Sequence, residues 1–218
     1  MIKKNWAHFA ALITWLLPIA YFIKTYPSLP EMVPVHFGLE GKPDRYGGKD
    51  ELVLINVILS VTTLGLYLLL QFLPKIDPKK KARYSDSTFK KIAFVLVIFL
   101  SALQLFIINS AISQNLSVSK FLLPLIGLLF AYLGNLMHSI KPNYFVGIRT
   151  PWTLEDADTW RVTHQLGGKL WFAGGIVITI VTLLLPNKAG TIFFITTATV
   201  ITLIPVIYSY LYFKKNKH

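Results

Sequence analysis

Six long apolar stretches constrain the fold of this chain more than any other feature of its sequence. They occupy residues 6–23, 52–73, 92–112, 121–140, 170–185 and 191–213. Each is near the roughly 20 residues that a helix needs to cross a bilayer, although the fifth is short. The sequence therefore predicts an all-α polytopic membrane protein with six transmembrane helices.

Composition supports this prediction and excludes other classes. The chain is 54% hydrophobic and only 15% charged, which is far more apolar than a soluble domain. Its net charge of +12 would suggest nucleic acid in a soluble protein. Here the basic residues lie between apolar segments, so we expect no direct nucleic-acid partner. Without cysteine, the chain has neither a disulfide nor a thiol nucleophile.

The distribution of lysine and arginine predicts the orientation of the spans. Lys3 and Lys4 precede a first stretch that resembles a signal peptide, but no small-x-small cleavage site follows, so we expect an uncleaved first span. When the spans alternate across the bilayer, 16 of the 22 basic residues fall on one side. Cytoplasmic loops carry such an excess, so both termini are predicted to be cytoplasmic in a bacterial plasma membrane.

Two loops in the N-terminal half differ in character. Residues 25–51 are predicted to be extracellular, where alternating Val33, Val35 and Phe37 indicate a short strand and glycines supply turns. This small folded loop is either a lid that meets a cationic or amphipathic ligand or a plain connector. Residues 74–91 form a basic cytoplasmic loop that favours anionic membrane lipid.

Residues 141–169 form the long polar insertion of the second half. Pro142, Gly147 and Pro151 indicate a non-helical beginning. Thr153 then stands as an expected N-cap of an interfacial helix at about 154–166, which a Gly-Gly pair would end. This helix is predicted to lie in the cytoplasmic loop between the fourth and fifth spans.

Arg149 is the residue of this insertion that we consider best suited to binding. Its planar guanidinium offers a fork of donors to a carboxylate, a phosphate or a backbone carbonyl. The alternative is that it only holds the loop to nearby acids such as Asp156. Trp160 and His164 are four residues apart and therefore share one face of a helix.

Uncharged polar stripes run along three of the spans. Their members are Asn56, Ser60, Thr63, Tyr67 and Gln71 on the second span, Gly127, Ala131 and Asn135 followed by His138 on the fourth, and Gly175, Thr179 and Thr182 on the fifth. Small and amide residues of this kind usually pack helices together in lipid. The other interpretation is a polar groove between helices, with His138 near its cytoplasmic end. The stripes also permit a homodimer.

The ionisable residues argue against catalysis. All ten acids lie in the predicted loops, which disfavours proton-coupled transport and intramembrane aspartyl proteolysis. No HExxH motif is present, and His36 with Asp44 and Glu40 is only a weak candidate for a metal site or a base. We expect no catalytic residue, no metal and no cofactor. The alternative function is a small membrane enzyme or exporter that acts on a lipid or peptide.

Two strings resemble a known family. GIRTPWTL at 147–154, followed by Trp160 and by THQLGGKLW at 163–171, resembles the SdpI family of bacterial immunity proteins. The string LPEMVPVHFGLEGKPDRYGGK at 29–49 resembles the domain of unknown function that is often fused ahead of it. The resemblance implies an N-terminal two-helix region at 1–91 and an SdpI-like four-helix region at 92–218.

The resemblance also implies a function and its partners. The expected function is neutralisation of a secreted, membrane-active antimicrobial peptide of the SdpC type, together with signalling by capture of a cytosolic transcriptional repressor. The residues predicted to contact a ligand or partner are Asn143, Gly147, Arg149, Thr150, Pro151, Trp152, Trp160 and His164 in the polar insertion, His36, Phe37 and Asp44 in the external loop, and Asn56, Asn135 and His138 in the spans.

Overall fold

The computed structural model describes residues 2–38, 40–76, 85–113 and 117–216. Within these residues, six helices are long and apolar enough to cross a membrane, which confirms the prediction of a helical polytopic membrane protein. In chain order the elements are α1 (Ile2–Thr25), a 3₁₀ helix (Tyr26–Ser28), β1 (Met32–Phe37), β2 (Pro43–Gly48), α2 (Lys49–Ile76), α3 (Asp86–Ser113), α4 (Val118–Met137), α5 (Pro151–Glu155), α6 (Ala157–Leu184) and α7 (Asn187–Asn216).

The chain divides into two compact units. The first comprises Met1–Leu69 and Lys91–Leu122, and the second comprises Leu70–Lys90 and Leu123–His218. Most of α3 therefore belongs with α1 and the hairpin. The predicted division between residues 91 and 92 follows family segments instead, and it stays a prediction. The centre of the predicted basic loop, residues 77–84, lies outside the described residues.

The segment after α1 in the first unit is a two-stranded antiparallel hairpin. The alternating apolar residues that predicted a strand form β1. Its fully buried Val33 packs with Leu29, Leu52 of α2 and Ala111 of α3. Gly41, at φ 70°, occupies the turn, where a residue without a side chain adopts the left-handed conformation at no cost. The hairpin is thereby joined to the helices by an apolar core.

The polar stripe on α2 faces other helices of the first unit. Gln104 of α3 is 1% exposed and donates from Nε2 to Asn56 Oδ1 and to Ser60 Oγ, each at 3.0 Å. Asn56 Nδ2 in turn donates to the carbonyl of Leu52 at 2.9 Å. Tyr67 lies with its hydroxyl 2.6 Å from His8 Nδ1 of α1. These contacts favour the packing interpretation of the stripe.

In the second unit, α4 and α6 approach each other backbone to backbone. A Cβ added at Gly127 would lie 2.8 Å from the carbonyl oxygen of Gly175, and one added at Gly168 would lie 2.9 Å from that of Gly134. Thr179 Oγ1 donates across the same contact to the carbonyl of Pro124 at 3.2 Å. The small residues of both helices are thus used within the chain, as helices in lipid commonly use them. A homodimer stays a prediction.

The prediction of a helix at 154–166 was wrong at both ends. Thr150, with an extended backbone, caps the short α5, and Asp156 caps α6. From there α6 continues without a break through Gly167 and Gly168 to Leu184, so no separate interfacial helix exists and the fifth span is not short. The two glycines are buried. Because they have no side chain, they permit the close contact with α4 and its end.

Candidate functional site

A buried asparagine holds the turn that follows α4. Asn143 is 1% exposed, and its Nδ2 donates to the carbonyls of Lys141 at 2.9 Å and Val146 at 3.1 Å. Its Oδ1 accepts from the backbone N–H groups of Phe145 at 2.8 Å and Val146 at 2.9 Å. The amide's two donors and its acceptor are therefore all engaged. Asn143 shapes the loop and has no donor left for a ligand.

His164 and Trp160 lie beneath this loop as a stacked pair. Their ring centroids are 4.1 Å apart, and the planes differ by 18°. Trp160 Nε1 donates to the carbonyl of Ile140 at 2.8 Å, while His164 Nε2 accepts from the N–H of Ile148 at 3.0 Å. Both side chains are at most 2% exposed. The two side chains share one face of the helix, as their spacing predicted. They anchor both ends of the loop and are buried, so they are not placed to contact a ligand as expected from the sequence.

The backbone of the loop closes onto this pair at Gly147. Its φ of 118° is strained for any residue with a side chain, and an added Cβ would overlap Nε2 of His164. Glycine is therefore required here for two separate reasons. The glycine of the GIRTPWTL string therefore serves to close the loop.

Arg149 is the charged group that this loop presents to its surroundings. Its side chain is exposed, and Nη1 donates to the carbonyl of Tyr144, which is one of the three partners considered from the sequence. Asp156 instead accepts from the N–H of Thr159 at 2.7 Å as a helix cap. The remaining guanidinium donors keep the planar geometry that suits a carboxylate or phosphate.

A capping box fixes the segment between Arg149 and α6. The hydroxyls of Thr150 and Thr153 satisfy each other's backbone N–H groups, and Thr153 Oγ1 donates to the carbonyl of Ile148 at 2.8 Å. Pro151 occupies the first helical turn, where its missing N–H costs nothing. Thr153 is the third residue of α5 and not the predicted N-cap, since threonine suits both positions of the box.

Three contacts join Trp152 and the start of α6 to α7. Trp152 Nε1 donates to Ser209 Oγ, and the Trp152 ring lies edge-on to Tyr210 at 5.2 Å. The hydroxyl of Tyr212 donates to Asp158, which also pairs with Arg161 at 2.6 Å. Sequence reasoning missed Ser209 and Tyr212. Their only signal is their position near the basic end of the last span, which is insufficient to assign a contact.

The other predicted site residues lie apart from this loop in the chain. Asn135 and His138 line a cleft at the end of α4. His36 Nδ1 and Asp44 Oδ1 are 2.5 Å apart on the exposed hairpin, where Phe37 ends β1. In the described ranges, no three His, Asp or Glu side chains are grouped closely enough to hold a metal ion. Asn56 belongs to the buried network of α2 and α3.

Comparison with known proteins matches two regions of the chain. Residues 139–209, which contain the loop, α5, α6 and most of α7, match the SdpI/YfhL protein family. Residues 13–60, which contain the hairpin, match a domain of unknown function, DUF1648. Both regions agree with the resemblance found in the sequence, and that resemblance is thereby confirmed.

Two relatives show how far the similarity extends. The SdpI family member named immunity protein SdpI, from Bacillus subtilis strain 168, is 27% identical over 183 residues, which is 82% of this chain and 81% of that protein. An uncharacterized protein of Archaeoglobus fulgidus is 42% identical over 52 residues, which is 24% of this chain and 26% of that protein. No solved structure matches the chain.

Proposed function

We propose that this chain is a membrane immunity protein that binds and neutralises a secreted, membrane-active antimicrobial peptide. The observation that carries the proposal is the similarity to an immunity protein along 82% of the chain, including the whole polar loop. The geometry supports binding rather than catalysis, because the buried polar groups of the loop are used to hold its shape. The guanidinium of Arg149 is exposed on this loop, whose shape is fixed by those bonds.

The proposed orientation places both termini and the loop of Arg149 in the cytoplasm of a bacterial cell. The excess of lysine and arginine on that side supports this orientation. The hairpin of β1 and β2 then faces outward, where a secreted peptide arrives. Its acidic Asp44 is exposed and can meet a cationic peptide.

We extend the proposal to signalling at the cytoplasmic face of the membrane. A loop tied to α6 and α7 through Trp160, His164 and Trp152 can register a movement of these helices. Exposed Arg149 and Tyr144 would then present a surface to a cytosolic repressor. Arginine and tyrosine are among the residues that most often dominate binding at protein interfaces.

The first test is survival of a toxin-sensitive bacterium that expresses this chain and is challenged with an SdpC-type peptide. We expect protection by the parent chain and its loss in Arg149→Ala at equal membrane abundance. Loss of one hydrogen-bonded charge weakens a contact by about 1.5–3 kcal/mol, or roughly 10–100-fold in affinity. Arg149→Lys retains the charge without the planar fork, so it should protect only partly.

Two controls separate this result from trivial causes. Arg45→Ala removes an exposed arginine of the hairpin, whose partner is Glu51 at 3.3 Å, and should leave protection intact. His36→Ala and Asp44→Ala test the hairpin, on which the enzyme or exporter alternative depends. Protection that is abolished by either of these two changes, and retained in Arg149→Ala, would contradict the role proposed for Arg149. Absence of protection by the well-expressed parent would contradict the immunity function itself.

A further inference from the structure

A cleft of about 480 Å³ opens beside the contact of α4 and α6. Its floor is the backbone of Gly134 and Gly168, where the two helices touch. Four polar side chains and one aromatic ring line it: Asn135, His138, Gln165, Lys169 and Phe172. Among the described residues no acidic side chain lines the cleft, so Lys169 gives it a positive character.

Most polar groups of the cleft have no partner among the residues that the structure describes. Within the described part of the chain, the side chains of Asn135, His138 and Lys169 have no hydrogen bond or ion pair. Gln165 Oε1 accepts a long bond of 3.4 Å from Arg161, which leaves its amide hydrogens available. The cleft therefore offers an ammonium group, an imidazole and two amides to one ligand. This donor set matches an anion with several acceptor oxygens.

The position of the cleft along the helices indicates where that anion comes from. Asn135 lies in the last turn of α4 and His138 follows directly after the helix, whose 20 residues span roughly 30 Å, about the thickness of the hydrocarbon core. The part of α6 that follows Lys169 is roughly 23 Å long, so the ammonium lies within about two helical turns of the same boundary. Phospholipid phosphates lie just outside this boundary, and the long side chain of a lysine can extend to them.

The remaining wall suits the rest of a lipid. Phe172, 46% exposed, lies one turn further into the span than Lys169, so an acyl chain below the phosphate would meet its ring. Both cleft glycines lack side chains that would fill the space beneath the headgroup. A charged surface next to an apolar one suits a phospholipid better than a free phosphate ion, because the ion has no apolar part to bury.

We propose that this cleft binds the phosphate of one anionic phospholipid, with Lys169, Asn135, Gln165 and His138 as its ligands and Phe172 against its acyl chain. The site is separate from the loop of Arg149 and does not depend on the immunity function. It gives the second unit a preference for anionic over zwitterionic lipid at one defined place.

Binding is measured with the purified full chain in a non-ionic detergent. Native mass spectrometry with phosphatidylglycerol and phosphatidylcholine of identical acyl chains reports how many lipids remain bound. We expect one retained phosphatidylglycerol per chain and markedly less phosphatidylcholine. Lys169→Gln should weaken retention about tenfold, since a charge-assisted hydrogen bond is worth about 1.4 kcal/mol or more. Asn135→Leu should weaken it without any change of charge.

Lys214→Gln is the matched control. Lys214 is exposed at the end of α7, outside the cleft, and its replacement removes the same charge. It should retain phosphatidylglycerol as the parent does, while all variants keep the parent's melting temperature. Equal loss in Lys214→Gln and Lys169→Gln, or equal retention of both lipids, would overturn the proposal. Displacement of the lipid by millimolar inorganic phosphate would assign the cleft to a free anion and overturn the lipid source.

Discussion

At the level of single residues, His164 shows how the loop of this protein is held. Its Nδ1 faces the carbonyl of Trp160 at 2.8 Å, and its Nε2 accepts from a backbone N–H. Both contacts are satisfied together only when the ring carries its proton on Nδ1. A buried side chain with this fixed tautomer acts as a structural bridge between α6 and Ile148, not as a group that exchanges protons with a ligand.

Gly147→Ala should destabilise the loop. The φ of 118° disfavours alanine, and the new methyl group would displace His164 from its bond to Ile148. Strain and an unsatisfied donor together should cost about 2–4 kcal/mol. Thermal unfolding in detergent and protease cleavage between 138 and 150 measure the effect.

Gly65→Ala is the control for this change. Gly65 lies within α2, and apart from the backbone of its own helix a Cβ there would meet no atom of the described residues within 4 Å. Alanine is a better helix former by about 0.5–1 kcal/mol, so the melting temperature should stay the same or rise. A Gly147→Ala protein as stable and as protease-resistant as the parent would refute the role assigned to this glycine.

The sequence indicated which residues of the loop matter, but it indicated their roles only in part. The four-residue spacing of Trp160 and His164 predicted a shared face, and the structure stacks them. Nothing in the sequence indicates that Asn143 and His164 direct their polar atoms at the backbone of their own loop. Such bonds depend on the path of the chain between 140 and 150, which local pattern does not determine.

At the level of elements, α6 illustrates the ambiguity of paired glycines. In sequence, Gly167–Gly168 is typical of a helix end. In the structure the pair lies inside a continuous helix, where contact with Gly134 and with Met137 offsets the poor helix propensity of glycine. The partner helix decides between these outcomes, and a single segment carries no information about its partner.

Asp156→Ala should loosen the first turn of α6. Asp156 accepts from both the N–H and the hydroxyl of Thr159, so alanine would leave these donors without their cap. The expected cost is about 0.5–2 kcal/mol. Faster amide hydrogen exchange at 157–160 reports the loss directly.

Asp156→Asn keeps an oxygen acceptor and should exchange nearly as slowly as the parent. The comparison separates capping from negative charge at the helix N-terminus. Unchanged exchange in Asp156→Ala would show that the helix start is fixed by other contacts, such as those of Trp152 with α7.

At the level of the whole molecule, the six spans were the most predictable feature. Lipid provides no partners for backbone polar groups, so long apolar segments have little choice but to form helices. The helix ends were less predictable: α4 ends at Met137 and leaves His138 beyond it, while α6 begins well before the apolar stretch at 170–185. Polar turns of a helix that project past the hydrocarbon carry no hydropathy signal.

The proposed orientation gives a prediction that labelling can decide. Because the chain has no cysteine, single cysteines can be introduced without removing any native thiol. Ser28→Cys and Ala189→Cys replace exposed residues on the proposed outer side, and Tyr144→Cys and Asn216→Cys do so on the inner side. All four leave lysine and arginine content unchanged, so the charge bias that orients the spans is preserved. In intact cells a membrane-impermeant maleimide should label the first pair at least about tenfold faster, and permeabilisation should make the second pair equally reactive. The reverse pattern would place the loop of Arg149 outside, where it would meet the peptide itself, and would remove the basis for repressor capture.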